Sequence, residues 1–171
     1  MVWALLLLGA CGMPPNPLGI EEELYFGNYT PAARMAIHSA LEHAKRGGSA
    51  EITSEDLVIG VLQSERDARG VIESMGLSAD ALLMALSQDA PEVAAGPQLL
   101  RLAPGTKRIL RAALDESKAR GNAAKLCGVD ILLAVLANGA GDLGKRLEEE
   151  GLSLAGLHAA VVKGNKPDAP K

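Results

Sequence analysis

Residues 29–50 read YTPAARMAIHSALEHAKRGGSA, and residues 102–123 read LAPGTKRILRAALDESKARGNA. The two segments match at a constant offset of 73 residues, from residue 29 to residue 102. This offset places a proline, a leucine, an acidic residue, a lysine and a glycine of one segment on those of the other. Similarity at a fixed offset indicates that one structural unit occurs twice in the chain.

The repeat continues beyond these segments. DLVIGVL (56–62) matches DILLAVL (130–136), and IESMGLSADALLMAL (72–86) matches LEEEGLSLAGLHAAV (147–161). Each further match requires one inserted residue in the second copy, and both insertions fall between apolar runs, where connecting loops tolerate them. The unit is therefore about 60 residues long and is present twice.

Each unit has the pattern of four helices. Thr30 is suited to cap the first helix, because a threonine side chain accepts hydrogen bonds from the N–H groups at a helix start, and Pro31 suits the first helical position. Apolar residues then recur at helical spacing up to a glycine pair. Ser54 and Ser78 are the predicted caps of the second and fourth helices, and Ser153 has the place of Ser78 in the second copy.

Alanine and leucine dominate the apolar residues, and the chain has one Trp, two Tyr and one Phe. A core of small aliphatic side chains favours packed helices over sheets. We therefore predict an all-α fold, in which two tandem four-helix repeats pack as one pseudo-symmetric eight-helix domain. The predicted divisions are an apolar N-terminal segment and tether (1–28), the first repeat (29–87), a linker (88–101), the second repeat (102–162) and a disordered tail (163–171).

The formal net charge of −4 argues against a nucleic-acid-binding surface. Cys11 and Cys127 are far apart, without the spacing of a disulfide framework or a metal site, and the three histidines are scattered. The sequence also lacks the usual hydrolase, zinc-protease and redox motifs. We therefore expect neither a catalytic site nor a metal ion or other cofactor.

A glycine-rich stretch suggests a competing function. In ILLAVLANGAGDLGKRL (131–147), Gly139, Gly141 and Gly144 fit the dinucleotide fingerprint G-x-G-x-x-G. Gly139 to Lys145 also fit G-x-x-x-x-G-K, the start of a phosphate-binding loop. Such a loop needs a serine or threonine after the lysine, and Arg146 has that place. The matching stretch of the first copy has a single glycine after its apolar run. We predict a turn that follows a buried helix; a nucleotide-binding enzyme that uses Gly139–Gly144 is the less favoured alternative.

The first twelve residues, MVWALLLLGACG, are apolar, uncharged and too short to span a bilayer as a helix. Their end, Leu8-Gly9-Ala10-Cys11, resembles a bacterial lipobox, whose cysteine is lipidated after signal cleavage. The positively charged start of an export signal is missing, which fits either a true start further upstream or a start near Met13. A cytoplasmic location and a lipid-anchored location in the cell envelope through Cys11 are the two alternatives.

Four short segments of the first copy carry a family resemblance: YTPAAR (29–34), AKRGG (44–48), TSEDLVIGV (53–61) and VIESMGL (71–77). In this order they resemble the F/Y-T-P opening, the A-K/R-x-x-G helix end, the G-T-E-H-I/L-L-L-G segment and the V-L-x-x-L-G close of the Clp N-terminal domain. This domain is the double repeat at the front of Clp-family AAA+ unfoldases. The resemblance spans about residues 29–162.

The resemblance implies a docking domain for substrates and adaptor proteins rather than an enzyme. It also implies a small pocket for phosphorylated arginine, to which Thr30 and Glu55 contribute by position. Ala103 and Val129 have these places in the second copy, so the pocket is expected in the first repeat alone.

Because the sequence contains no ATPase module, the resemblance implies an accessory or adaptor of a Clp chaperone–protease system. The expected partners are proteins: a Clp ATPase, a Clp peptidase, an adaptor or a substrate. Nucleic acid is not an expected partner, and a membrane is one only if Cys11 is lipidated. In that case the repeat domain is expected to act as an interaction scaffold in the envelope.

Overall fold

The computed structural model describes residues 29–87, 100–119, 125–138 and 141–164. Eight helices lie in these ranges: α1 (Pro31–Arg46), α2 (Ser54–Ser64), α3 (Arg66–Ser74), α4 (Ala79–Ser87), α5 (Pro104–Ala119), α6 (Gly128–Ala137), α7 (Asp142–Glu149) and α8 (Leu154–Gly164). The all-α prediction, with four helices in each repeat, is confirmed. In these ranges no single helix is long and apolar enough to cross a membrane, and only the bent pair α3 and α4 would reach by length and composition.

Several predictions fall on residues outside these ranges. The N-terminal segment with Cys11, residues 88–99 of the predicted linker, Gly139 and residues 165–171 of the predicted tail all lie outside the described residues.

Helix α1 begins where the sequence predicts. The Thr30 backbone is extended, its Oγ1 accepts a hydrogen bond of 3.1 Å from the Ala33 N–H, and Pro31 is the first helical residue. The chain leaves the helix through Gly48, whose φ of 66° lies in the left-handed region that glycine adopts without strain. The cap and the glycine together fix both ends of the helix.

The start of α2 differs from the prediction, because Thr53 and not Ser54 is its N-cap. The Asp56 N–H donates to Thr53 Oγ1 at 3.2 Å, and the Thr53 N–H donates to Asp56 Oδ2 at 2.7 Å, which makes a capping box. Serine and threonine are both good caps, and the aspartate three residues after Thr53 decides between them. Ser78 and Ser153 do cap α4 and α8, and each hydroxyl accepts at 3.2 Å from the N–H three residues later.

Helices α1 and α2 pack closely because both present small residues. The buried face of α1 is mostly alanine, and Gly60 of α2 lies against its backbone. A Cβ at Gly60 would overlap the Ala36 carbonyl oxygen and lie 2.8 Å from the Ala40 nitrogen. The helix pair therefore depends on the absence of a side chain at this position.

Helices α2 and α6 are the central helices: most of their residues are buried, and they contact each other. The apolar run at 131–136 is thus a buried helix, as the repeat predicts. After it the chain enters α7 through Gly141, which has a φ of 56°, and Gly144 lies inside α7. A dinucleotide fingerprint follows a strand, so this helix removes the structural basis of the nucleotide-binding alternative.

Two short parallel pairings join the repeats. Strand β1 (Glu51–Ile52), before α2, pairs with β2 (Arg101–Leu102), before α5 and at the end of the predicted linker. Tyr29, before α1, bridges to Leu126, before α6, and the Thr30 N–H donates to the Leu126 carbonyl at 2.9 Å. The start of α1 therefore lies beside the start of α6, and the start of α2 lies beside the start of α5.

Candidate functional site

Thr30 and Glu55, the two residues predicted to bind phosphoarginine, lie at opposite ends of α1. Thr30 caps the start of this helix, whereas Glu55 lines a cavity together with Gly47, which follows the helix. Helix α1 has 16 residues, which corresponds to a length of about 24 Å. The structure does not bring the two side chains together, and one small ligand cannot contact both.

The β-pairings explain this separation. They place the start of a helix of the first repeat beside the start of a helix of the second repeat, and not beside another helix of its own repeat. The start of α1 carries Thr30, and the adjoining start of α6 carries Val129. The start of α2 carries Glu55, and the adjoining helix α5 follows Ala103. Each place therefore has one of the two polar groups and lacks the other. The sequence prediction grouped them because it treats each repeat as a closed unit.

The Glu55 carboxylate is paired with an arginine of the second repeat. Arg146 Nη1 donates to Glu55 Oε1 at 3.0 Å, and Arg146 Nη2 donates to the Ala85 carbonyl at 2.9 Å. The Arg146 and Glu55 side chains are 31% and 34% exposed. Arg146 thereby connects α7 to α2 and α4, and it neutralises the carboxylate that a ligand guanidinium would need.

Arg146 lies between two openings in the surface. A cavity of about 220 Å³ lies at the start of α2, and a groove of about 520 Å³ runs between α4 and α7. Leu86 and Arg146 line both openings. On the α4 side of the groove Met84 is exposed, and on the α7 side Glu149 and Glu150 are exposed. Both openings lie at the junction of the two repeats.

A hydrogen-bond network borders the smaller cavity. His43 Nδ1 contacts Asp56 Oδ1 at 2.7 Å, and Asp56 Oδ2 accepts from both the N–H and the Oγ1 of Thr53 at 2.7 Å. The carboxylate is in the middle of this chain of groups, whereas a hydrolytic triad has the histidine in the middle. The network holds the start of α2 against the end of α1. In the part of the chain that the structure describes, no group of three or more His, Cys, Asp or Glu side chains is placed to hold a metal ion.

A buried carboxylate that sequence reasoning missed lies between the repeats. Glu65, between α2 and α3, is 1% exposed, and its Oε2 accepts a hydrogen bond of 2.6 Å from the Gly128 N–H at the start of α6. A Cβ at Gly128 would overlap this carboxylate. Burial raises the pKa of Glu65, the Gly128 hydrogen bond lowers it, and the charge of Asp67 raises it. In the sequence this residue is marked only by being an acidic residue directly after an apolar helix.

The model of the Clp repeat (R) N-terminal domain family matches residues 28–150. The chain belongs to this family. Its membership confirms the resemblance seen in the four sequence segments. Clp N-terminal domains are non-catalytic modules that bind protein substrates and adaptors.

Solved structures show the same fold. The N-terminal domain of the chaperone ClpD from Arabidopsis thaliana is 22% identical, with a TM-score of 0.65 over 86% of this chain and 100% of that one. The Hsp104 N-terminal domain from Candida albicans is 15% identical, with a TM-score of 0.66 over 81% and 93%. The N-terminal domain of the ClpV1 ATPase from E. coli is 19% identical, with a TM-score of 0.63 over 85% and 91%. A comparison with curated protein sequences gave no match.

Proposed function

We propose that this chain is a non-catalytic docking accessory of a Clp-type chaperone–protease system. The observation that carries the proposal is the Clp repeat domain, whose family model matches residues 28–150 and so covers the first seven of the eight helices in the described residues. Its repeats are held together by backbone pairings and by the Glu55–Arg146 ion pair. A groove that is open to solvent at the junction of the repeats suits the docking of a segment of another protein.

The partners that we propose are a Clp ATPase, a Clp peptidase, an adaptor or a substrate of the same system. Affinity capture on the immobilised full chain from an extract of the source cells tests this. We expect enrichment of at least one Clp component over beads that carry an unrelated helical protein of similar charge. Recovery of no Clp ATPase, Clp peptidase or Clp adaptor would contradict the proposal.

We further propose a cytoplasmic location, because the chain has to share a compartment with the cytosolic Clp unfoldase that we propose as its partner. The lipobox-like end at Cys11 supports the alternative, an envelope lipoprotein that uses the repeat domain as an interaction scaffold. Mass spectrometry of the native N-terminus separates the two. A free N-terminal peptide that starts at Met1 or Met13 supports the cytoplasmic location, and a lipidated Cys11 at the mature N-terminus supports the scaffold.

A further inference from the structure

The two repeats pack differently at one pair of helices. Helix α3 of the first repeat packs against α8 of the second, where Met75 and Leu77 lie against two glycines. A Cβ on Gly156 would come within 2.8 Å of the Met75 Cε, and a Cβ on Gly151 would come within 3.0 Å of Leu77 Cδ2. In the repeat, α7 is the counterpart of α3, and α4 is the counterpart of α8. The equivalent pair, α7 and α4, is separated by the groove of about 520 Å³.

One replaced contact explains why the groove is open. In the alignment of 72–86 with 147–161, Glu150 has the place of Met75, and Ala81 has the place of Gly156. A glutamate carboxylate loses its hydration if it is buried against an apolar helix. The free energy of this desolvation exceeds the stabilisation that the new contact would provide. Helices α7 and α4 therefore do not close on each other, and both Glu150 and Ala81 line the groove.

The charges and apolar groups of the groove define the chemistry of its occupant. Glu149 and Glu150 are exposed along one side, and Met84 is 66% exposed on the other. Arg146 is the cation among the described lining residues, and it is held by Glu55 and by the Ala85 carbonyl. The two glutamates thus leave a negative rim. A thioether accommodates varied apolar side chains, and paired carboxylates attract lysine and arginine.

We propose that the α4–α7 groove docks a basic segment of a partner protein, in which lysine or arginine side chains contact Glu149 and Glu150 and an apolar side chain contacts Met84. This inference rests on the proposed docking function and assigns it a surface and a partner chemistry. The complementary charges select the segment, and the exposed methionine supplies the apolar contact.

The test uses the full chain and a short acetylated, amidated peptide of lysine and leucine at helical spacing. A matched peptide with glutamate in place of lysine is the ligand control. We expect amide chemical-shift changes that cluster on α4 and α7 with the basic peptide alone. The double variant Glu149→Gln/Glu150→Gln should weaken its binding about tenfold at low salt.

The matched protein control is Glu73→Gln/Asp115→Asn, which removes the same charge from exposed positions outside the groove. It should leave the affinity within about twofold of wild type. Shift changes away from the groove, equal binding of the acidic peptide, no binding at millimolar concentration, or an equal loss in the control variant would each overturn the proposal.

Two further outcomes would overturn the groove proposal without deciding the proposed docking function. A wild-type dimer that Glu149→Gln/Glu150→Gln dissociates, measured by sedimentation equilibrium, would assign the groove to a second copy of the chain and overturn it. The peptide titration uses no Clp protein, so its failure does not decide the docking function. Equal capture of a Clp component by wild type and by the double variant would refute the groove while the docking function stands.

Discussion

The Glu65 carboxylate lies in the interior between the repeats, where a negative charge is unfavourable. Burial raises its pKa above the ordinary value, and the Asp67 charge adds to this, whereas the Gly128 hydrogen bond opposes it. A carboxyl group whose pKa is raised on folding contributes stability below its unfolded pKa. That contribution is lost as the pH rises through the folded pKa.

Replacement of Glu65 by glutamine is expected to remove this pH dependence, because the amide oxygen still accepts from Gly128 and no charge is buried. The free energy of unfolding of Glu65→Gln minus that of wild type should increase as the pH rises above the ordinary glutamate pKa. The slope is at most about 1.4 kcal/mol per pH unit. Urea unfolding over this pH range measures it. Glu73→Gln, exposed on α3, should show no such trend, and a flat difference for Glu65→Gln would contradict the expectation.

Arg146 controls access to the Glu55 carboxylate, because any ligand guanidinium has to displace its own. A partly exposed ion pair is worth up to about 1 kcal/mol. We therefore expect Arg146→Ala to tighten the binding of free phosphoarginine near Glu55 by about two- to fivefold. Amide shifts during a titration measure this affinity. Arg69→Ala, which removes the Arg69–Asp80 ion pair instead, should leave it unchanged. Tight binding at Glu55 in wild type, unaltered by Arg146→Ala, would show that the arginine does not compete.

The α1–α2 pair depends on Gly60, and Gly60→Ala tests how much. The new methyl group would collide with the α1 backbone, so we expect a loss of about 2 kcal/mol in the free energy of unfolding, because overpacking outweighs the better helix propensity of alanine. Gly70→Ala in α3 is the matched control: a Cβ there meets no atom within 4 Å, and it should stabilise by about 0.5–1 kcal/mol. Chemical unfolding gives both values. A neutral Gly60→Ala would mean that α1 and α2 shift apart at little cost.

The helices follow from the sequence because their signals are local. The apolar spacing, the prolines and the glycines predict eight helices, and Thr30, Ser78 and Ser153 are caps as expected. The choice of Ser54 over Thr53 failed at a start where a second residue, Asp56, completes the cap. The paired strands have two residues each, and such short segments have no periodicity that a sequence pattern could reveal.

Across the whole molecule, the double repeat and its family are evident from the sequence, but the site is not. Glu55 and Arg146 are 91 residues apart, and Glu65 meets Gly128 across the same junction. No pattern within one repeat predicts such contacts, since they arise only when two different copies meet. For this reason the alignment of the copies gives the correct helices and groups Thr30 with Glu55, which the fold separates.

The two backbone contacts at the helix starts are copies of each other. The Thr30 N–H donates to the Leu126 carbonyl at 2.9 Å, and the Ala103 N–H donates to the Ile52 carbonyl at 3.0 Å. The repeat relates Thr30 to Ala103 and Ile52 to Leu126. Each unit thus gives the other the same bond that it receives, which is the reciprocal relation of two subunits about a twofold axis. These backbone contacts have the arrangement of a homodimer interface within one polypeptide. The pairing of the two repeats is therefore independent of protein concentration.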